Sequence, residues 1–138
     1  AWGWSGGGYF TCLMLTKNSR HFKAGVSIAP VTDFRLYDTI YTERFMGLPE
    51  NNIAGYDSTS VFSYVENTKG ELLVIHGTAD DNVHSQNTFQ LAEKFIEAGK
   101  SLEVFFYPNR NHGIHGVNSR LHLYTKMYDH FRKHLLEK

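Results

Sequence analysis

Apolar positions fall along this chain in two alternating rhythms. Short, nearly continuous apolar runs occur at 24–30 (AGVSIAP), 71–77 (ELLVIHG) and 102–108 (LEVFFYP), each closed by Gly or Pro. Their β-branched, leucine and aromatic content predicts strands. Two of them are apolar nearly throughout, as strands buried on both faces of a parallel sheet are. The runs between them repeat at helical spacing. Residues 6–17 are apolar almost all round and predict a buried helix. Residues 33–46 open on Asp33 as N-cap and put Phe34, Tyr37, Tyr41 and Phe45 on one stripe. Residues 85–98 start near Ser85, carry Phe89, Ala92 and Ile96 on one face and stop at Gly99. Residues 119–136 space Leu121, Tyr124, Met127, Tyr128, Phe131 and Leu135 as one helix face. Strands alternating with helices predict an α/β fold with a mainly parallel sheet and flanking helices. Three strands make a thin sheet.

Composition narrows the function classes. The chain is 138 residues long, the size of one domain, with 41% hydrophobic and 20% charged residues, an ordinary globular balance. Fourteen basic residues offset fourteen acidic ones with no clustering of sign, so charge offers no footing for nucleic-acid or membrane-surface binding. Cys12 stands alone, which excludes an intrachain disulfide, and inside an apolar helix it reads as a small buried hydrophobe. No apolar run approaches the roughly 20 residues of a membrane span. Residues 1–9 lack the basic start and apolar stretch of a signal peptide. There are no repeats or low-complexity tracts.

Three segments carry candidate chemistry. Gly3-Trp4-Ser5-Gly6-Gly7 fits G-x-S-x-G, the turn that lifts a nucleophilic serine above a sheet. The glycines are expected because backbone and helix crowd together there, and the helical pattern from Gly6 supplies the downstream context. HGTADDNVH (76–84) follows the strand 71–77, and NRNHGIHG (109–116) follows the strand 102–108, so Asp80, Asp81 and His112 lie where α/β folds keep their sites. The order Ser, Asp, His is that of α/β-hydrolases. Read without that context, Asp80 and Asp81 would cap the following helix, and the stripe at 34, 37, 41 and 45 would be core packing. His76, ending an apolar strand, reads as a hydrogen-bonded core histidine. His112, His115 and His122 lack H-E-x-x-H or Cys-His spacing, so no metal site is expected, and nothing in the sequence calls for a cofactor.

GWSGGG, APVTDFRLYDTIYTERFMGLP, HGTADDNVH and NHGI together resemble the C-terminal catalytic part of the prolyl oligopeptidase family of serine peptidases, in its dipeptidyl peptidase branch. The likeness runs from residue 1 to about 135, and the long middle segment is its most specific part. The resemblance implies an α/β-hydrolase fold and an enzyme that removes N-terminal dipeptides with proline or alanine second. It matches Ser5 to the nucleophile, Asp80 to the triad acid through the H-G-x-x-D spacing, and His112 to the base. Val31, Phe34, Tyr37, Tyr41 and Val83 match the wall of the proline pocket, and Asn82 matches a residue that bonds the substrate backbone. On that reading the aromatic stripe divides: Phe34, Tyr37 and Tyr41 are pocket wall and Phe45 is core. Gly6, following the nucleophile, supplies a backbone N–H to the oxyanion.

Departures from the family pattern bear on specificity. Gly6 stands where the family usually has Tyr, and Phe34 where it often has Trp; both enlarge the pocket. Ala24 stands where animal members carry a disulfide cysteine, which points to a microbial source. Only four residues precede Ser5, and an upstream strand set, a second oxyanion donor and a β-propeller that clamps the substrate amine are expected elsewhere in a longer enzyme. Residues 1–138 are thus expected to be the C-terminal portion of a peptidase catalytic domain. Further expectations from the resemblance are peptide substrates, a homodimer of the full-length protein, and a periplasmic, membrane-anchored or extracellular setting. The alternatives are an esterase or another peptidase of the same fold. A third alternative is that the isolated chain is an inactive folding or dimerisation unit.

Overall fold

A computed structural model describes residues 1–137. The chain forms a four-stranded, wholly parallel sheet in the order β1-β2-β3-β4. The strands are β1 Trp2–Trp4, β2 Ala24–Ile28, β3 Glu71–Gly77 and β4 Glu103–Tyr107. Helices α1 Gly6–Leu15, α2 Thr39–Met46, α3 Ile53–Thr59, α4 Gln86–Glu97 and α5 Val117–Phe131 connect and cover them. The α/β class and the parallel sheet are as the apolar rhythm predicts.

Sheet alternation sorts the core into two layers. Along β3, Leu72 and Val74 pack with Tyr9, Cys12 and Leu15 of α1, Leu91 and Phe95 of α4, and Val61 and Val65. Leu73 and Ile75, pointing the opposite way, pack with Val26 and Ile28 of β2 and with Ile114, Leu123 and Met127. Both faces of β3 are therefore dry, which is why its sequence is apolar without alternation. Cys12 is fully buried, its sulfur 3.2 Å from Ser27 Oγ, and burial pushes its thiol up to about 12. That leaves no thiolate at neutral pH and agrees with its reading as a core residue.

Several expectations change. A fourth strand, β1, pairs Trp2 with Val26 and Trp4 with Ile28. Three residues centred on a glycine carry no readable period, so the pattern missed it. The helix expected over 33–46 is two elements. Asp33 caps a 3₁₀ turn at Phe34–Leu36, accepting from the Arg35 N–H at 2.7 Å, and Asp38 caps α2 by accepting from the Tyr41 N–H at 2.8 Å. Two competing N-caps break the run at Tyr37. Phe45, expected in the core, is 67% exposed, because this break turns the end of α2 outward. In α4 the buried face is Leu91 and Phe95, and the Phe89–Ile96 stripe faces solvent. In α5 Leu123, Met127 and His130 are buried, while Leu121, Tyr124 and Tyr128 of the expected face are exposed. Both helices carry two apolar stripes, and periodicity alone does not say which faces the sheet. The chain also places α3 and the 3₁₀ helix Val61–Asn67 where no element was expected. Among the described residues no helix is long and apolar enough to cross a membrane.

Crowding at the elbow is confined to particular glycines. A Cβ on Gly3 would overlap the Gly7 carbonyl and carbon, whereas Gly6 and Gly7 face open space. The motif's first glycine is thus a packing requirement. Its last has open space where a Cβ would sit, so packing does not require a glycine there. Gly3→Ala is expected to destabilise the fold by about 2 kcal/mol or more, as overpacking against rigid backbone does. Gly7→Ala should cost well under half of that. Urea denaturation of the two variants checks the contrast.

Candidate active site

Because every strand runs the same way, the carboxyl ends of β1, β3 and β4 lie at one end of the sheet, and the turn or loop after each carries a predicted site residue. Ser5 comes first. It sits between β1 and α1 with φ 57°, a left-handed conformation that costs a non-glycine residue about 1 kcal/mol or more. Its N–H donates to the Ile28 carbonyl at 2.8 Å and its own carbonyl accepts from Tyr9 at 2.9 Å, so neighbouring structure holds the strained turn. As the residue before α1 it would ordinarily cap the helix through its side chain, but no such bond forms. The hydroxyl is therefore half-buried yet not engaged in capping. The first N–H groups of α1, starting with Gly6, have no partner within the helix and gather partial positive charge beside it.

Asp80 follows β3. Its side chain is fully buried, and every oxygen has donors. Oδ1 accepts from the N–H groups of Asn82 at 3.0 Å and Val83 at 2.9 Å. Oδ2 lies 2.8 Å from His112 Nδ1 and 3.3 Å from His76 Nε2. Burial alone would push this carboxyl up. The bonds from His112 and His76, the charge of His112 and the Asn82 N–H outweigh burial and hold it well below the usual carboxylate range. The Val83 carbonyl, 2.7 Å from His76 Nε2, is also an acceptor, so that nitrogen carries a proton. His76 Nδ1 bonds the Thr88 hydroxyl at 2.7 Å. It is the hydrogen-bonded core histidine expected, and in addition a donor to Asp80. The strand pattern showed its burial but not that contact.

His112 follows β4 in the loop to α5. Trp4, next to Ser5, donates its indole N–H to the His112 carbonyl at 2.9 Å and so ties the histidine loop to the serine turn. Arg120 reaches back from α5 to the Gly113 carbonyl at 2.8 Å and stacks its guanidinium 5.0 Å over the Trp4 ring. The acid and histidine loops touch as well: Ala79 N–H donates to the Arg110 carbonyl at 3.0 Å. A Cβ on Gly77 would overlap that same carbonyl, so the glycine of HGTADD is what lets the loops meet. Facing only acceptors at Oδ2, His112 carries its proton on Nδ1 and presents Nε2 away from Asp80. Neither Ser5 Oγ nor Nε2 of His112 has a hydrogen-bond partner among the described residues.

Beside Ser5 opens a cleft of about 270 Å³ lined by Ser5, Gly6, Tyr9, Phe10, Val31, Phe34, Tyr37 and Tyr41. Its rings touch in series: Tyr9 on Phe34 at 5.1 Å edge-on, Phe34 stacked on Tyr41 at 6.5 Å, Tyr41 on Tyr37 at 5.5 Å. Tyr37 donates its hydroxyl to Asn82 Oδ1 at 3.1 Å, which links the cleft to the acid loop. The structure therefore brings together Gly6, Val31, Phe34, Tyr37 and Tyr41, with Asn82 at their margin. It does not bring Val83: that side chain is fully buried and does not line the cleft, and its main chain serves Asp80 and His76. Tyr9 and Phe10 were missed because the helix 6–17 read as buried all round. The available signal was the position of Ser5: a helix that begins at such a turn shows its first turns to the cleft beside it.

A parallel sheet whose strand ends carry a serine on a strained turn, an acid and a histidine in that order has the arrangement of an α/β-hydrolase fold. The chain belongs to the prolyl oligopeptidase family, whose model matches residues 1–138. It is 45% identical over 135 residues to dipeptidyl peptidase 4 of Bos taurus, covering 96% of this chain and 18% of that protein. It is 43% identical over 135 residues to prolyl endopeptidase FAP of Homo sapiens, with the same two coverages. The crystal structure of Porphyromonas gingivalis dipeptidyl peptidase 4 superposes with a TM-score of 0.94 at 43% identity, covering 97% of this chain and 19% of that one. The chain thus spans about a fifth of the length of the relatives it matches.

Proposed function

We propose that Ser5, His112 and Asp80 form the catalytic triad of a serine peptidase. We further propose that this chain is the C-terminal portion of the catalytic domain in a longer dipeptidyl peptidase releasing X-Pro and X-Ala dipeptides. The observation that carries the reading is the coupling of three strand ends. Asp80 binds His112 at 2.8 Å, and the His112 carbonyl is bonded to Trp4, the neighbour of Ser5. In this mechanism His112 Nε2 takes the Ser5 proton as Oγ attacks the scissile carbonyl. Asp80 holds the tautomer and stabilises the imidazolium, and the leaving amine receives the proton. Water then repeats the sequence on the acyl-enzyme. The Gly6 N–H at the start of α1 donates to the oxyanion. The aromatic cleft takes the substrate's proline ring, Asn82 bonds its backbone, and burial against Phe34, Tyr37 and Tyr41 favours a flat apolar ring. Chromogenic Gly-Pro amide assayed on the full-length protein tests this; an esterase reading would require short-chain esters to be the better substrates.

The likeness to prolyl endopeptidase FAP favours a second reading, cleavage after proline inside a chain. An N-acylated Gly-Pro amide separates the two, since an enzyme that needs a free amine leaves it intact. The exposed Leu121, Tyr124 and Tyr128 on α5 support a homodimer through that helix.

Gly6 tunes the cleft in this account. A Cβ there meets nothing within 4 Å and its φ is not left-handed, so a side chain fits. Gly6→Tyr adds an aromatic wall and should raise kcat/KM for Gly-Pro amide by about 2- to 10-fold, the worth of one aromatic contact. Steady-state kinetics on the variant check it; a loss in kcat/KM would mean that the added ring obstructs the cleft instead of walling it.

A further inference from the structure

At the far end of the molecule from the serine turn, β4 begins and the C-terminal helix ends, and a second cluster of ionisable side chains forms there. Glu103 opens β4. His130 lies in the last turn of α5, and His134 follows four residues later in a π-helical continuation, Arg132–Leu136, so both rings project on one side, 4.7 Å apart. The His130 side chain is 2% exposed. Its Nε2 lies 3.3 Å from the Glu71 carbonyl and its Nδ1 lies 3.4 Å from Glu103 Oε2.

Those two contacts put an acceptor at each nitrogen of one ring. The Glu71 carbonyl only accepts, so the bond at Nε2 places a proton there. The Nδ1 edge facing Glu103 Oε2 can then be bridged either by the ring's own second proton or by a metal cation bound between the two atoms. A tetrahedral zinc ion with bonds of about 2.0–2.1 Å sets neighbouring ligand atoms roughly 3.3–3.4 Å apart. The observed separation matches that edge. One ligand atom each from Glu103, His130 and His134 lie within 4.8 Å of one another. The bond from Nε2 to a backbone carbonyl is the outer contact that orients a metal-ligating histidine. Lys126 approaches Glu103 through the other oxygen, Oε1, at 3.5 Å, and leaves Oε2 to the histidines. The cleft beside Glu103 and His130 holds about 230 Å³, room for a water to complete the coordination, with Asp129, Lys126 and Lys133 also on its wall and His134 outside its lining.

We propose that Glu103, His130 and His134 bind one divalent transition-metal ion, zinc by the hardness and geometry of the ligand set, which fastens the end of α5 to β4. Two imidazoles and one carboxylate suit zinc better than calcium or magnesium, which prefer all-oxygen shells. The ion is separate from the proposed triad and takes no part in its chemistry.

The test strips the purified protein with EDTA, dialyses it, and titrates zinc by calorimetry, with Co²⁺ absorption reporting the coordination geometry. The expected result is one equivalent with a tetrahedral cobalt spectrum and a rise in Tm that EDTA reverses. His134→Ala and Glu103→Gln alter partly or fully exposed side chains, so both should fold. Each is expected to lose that equivalent or weaken it by at least about 10-fold. Zinc binding unchanged in both variants would overturn the proposal. So would no stoichiometric binding, or ¹⁵N spectra showing His130 protonated on both nitrogens with zinc present, since the cluster is then an ordinary histidine–glutamate ion pair.

Discussion

Ser5→Ala in the full-length protein is expected to lower kcat for Gly-Pro release by about 10⁴-fold or more, with His112→Ala close behind. The reason is that the two act as one unit. The hydroxyl is a poor nucleophile until a base takes its proton, and the base has no task without the hydroxyl. Removing either therefore removes the covalent route, and removing both should cost little more than removing one. KM should change far less, because the aromatic cleft proposed to bind the substrate is left intact. Neither change should disturb the fold: the Ser5 turn is held by its backbone bonds to Ile28 and Tyr9, and the His112 loop by Trp4 and Arg120. Rates measured on both single variants and the double variant check the claim. Substantial activity left in Ser5→Ala would assign the nucleophile elsewhere.

The second large effect is at Asp80. Asp80→Asn keeps the volume but reverses one contact. Its amide oxygen takes the place of Oδ1 and accepts from Asn82 and Val83, so the NH₂ group is turned toward His112 and His76. A donor facing His112 Nδ1 forces the ring proton onto Nε2, the nitrogen that must accept from Ser5. The expected fall in kcat is about 10⁴-fold. The same NH₂ confronts the protonated Nε2 of His76, so stability falls as well. For the wild-type protein the sign of the pH effect follows from the depressed pKa of Asp80. Its stabilisation is fully present above the unfolded carboxylate pKa, about 3.9. It is lost as pH falls below that value toward the folded one. Asp80→Asn should therefore show a flatter loss of stability on acidification below about pH 4. Thermal melts of both proteins from pH 6 downward read it directly. Parallel acid slopes would mean that the carboxyl is not held ionised by its neighbours.

Much of this was legible in the sequence, and the failures share a cause. β3 was readable end to end because burial on both faces makes a strand apolar throughout. The triad candidates were readable because Ser5 sits in G-x-S-x-G ahead of a helical pattern, and Asp80 and His112 lie in the loops after two legible strands, where a parallel sheet keeps its sites. What escaped was whatever depends on tertiary choice. Two apolar stripes on α5 left its buried face undecided, and the sheet selected Leu123 and Met127. Asp33 and Asp38 offered rival caps, and the fold used both, which sent Phe45 to the surface. β1 was too short to carry a period. Tyr9 and Phe10 were hidden in a helix whose beginning faces the cleft and whose end is core. The Glu103, His130 and His134 cluster joins positions 27 and 31 residues apart, and no local spacing announces it.

Activation of Ser5 through His112 and Asp80 is tested most directly by active-site labelling. The full-length protein would be treated with a fluorophosphonate and mapped by peptide mass spectrometry, with rates compared for wild type, His112→Ala and Asp80→Asn. The predicted result is one adduct on Ser5 that forms quickly in the wild type and at least about 10³-fold more slowly in both variants. An adduct on another residue, or Ser5 labelling at an unchanged rate without His112, would contradict the account.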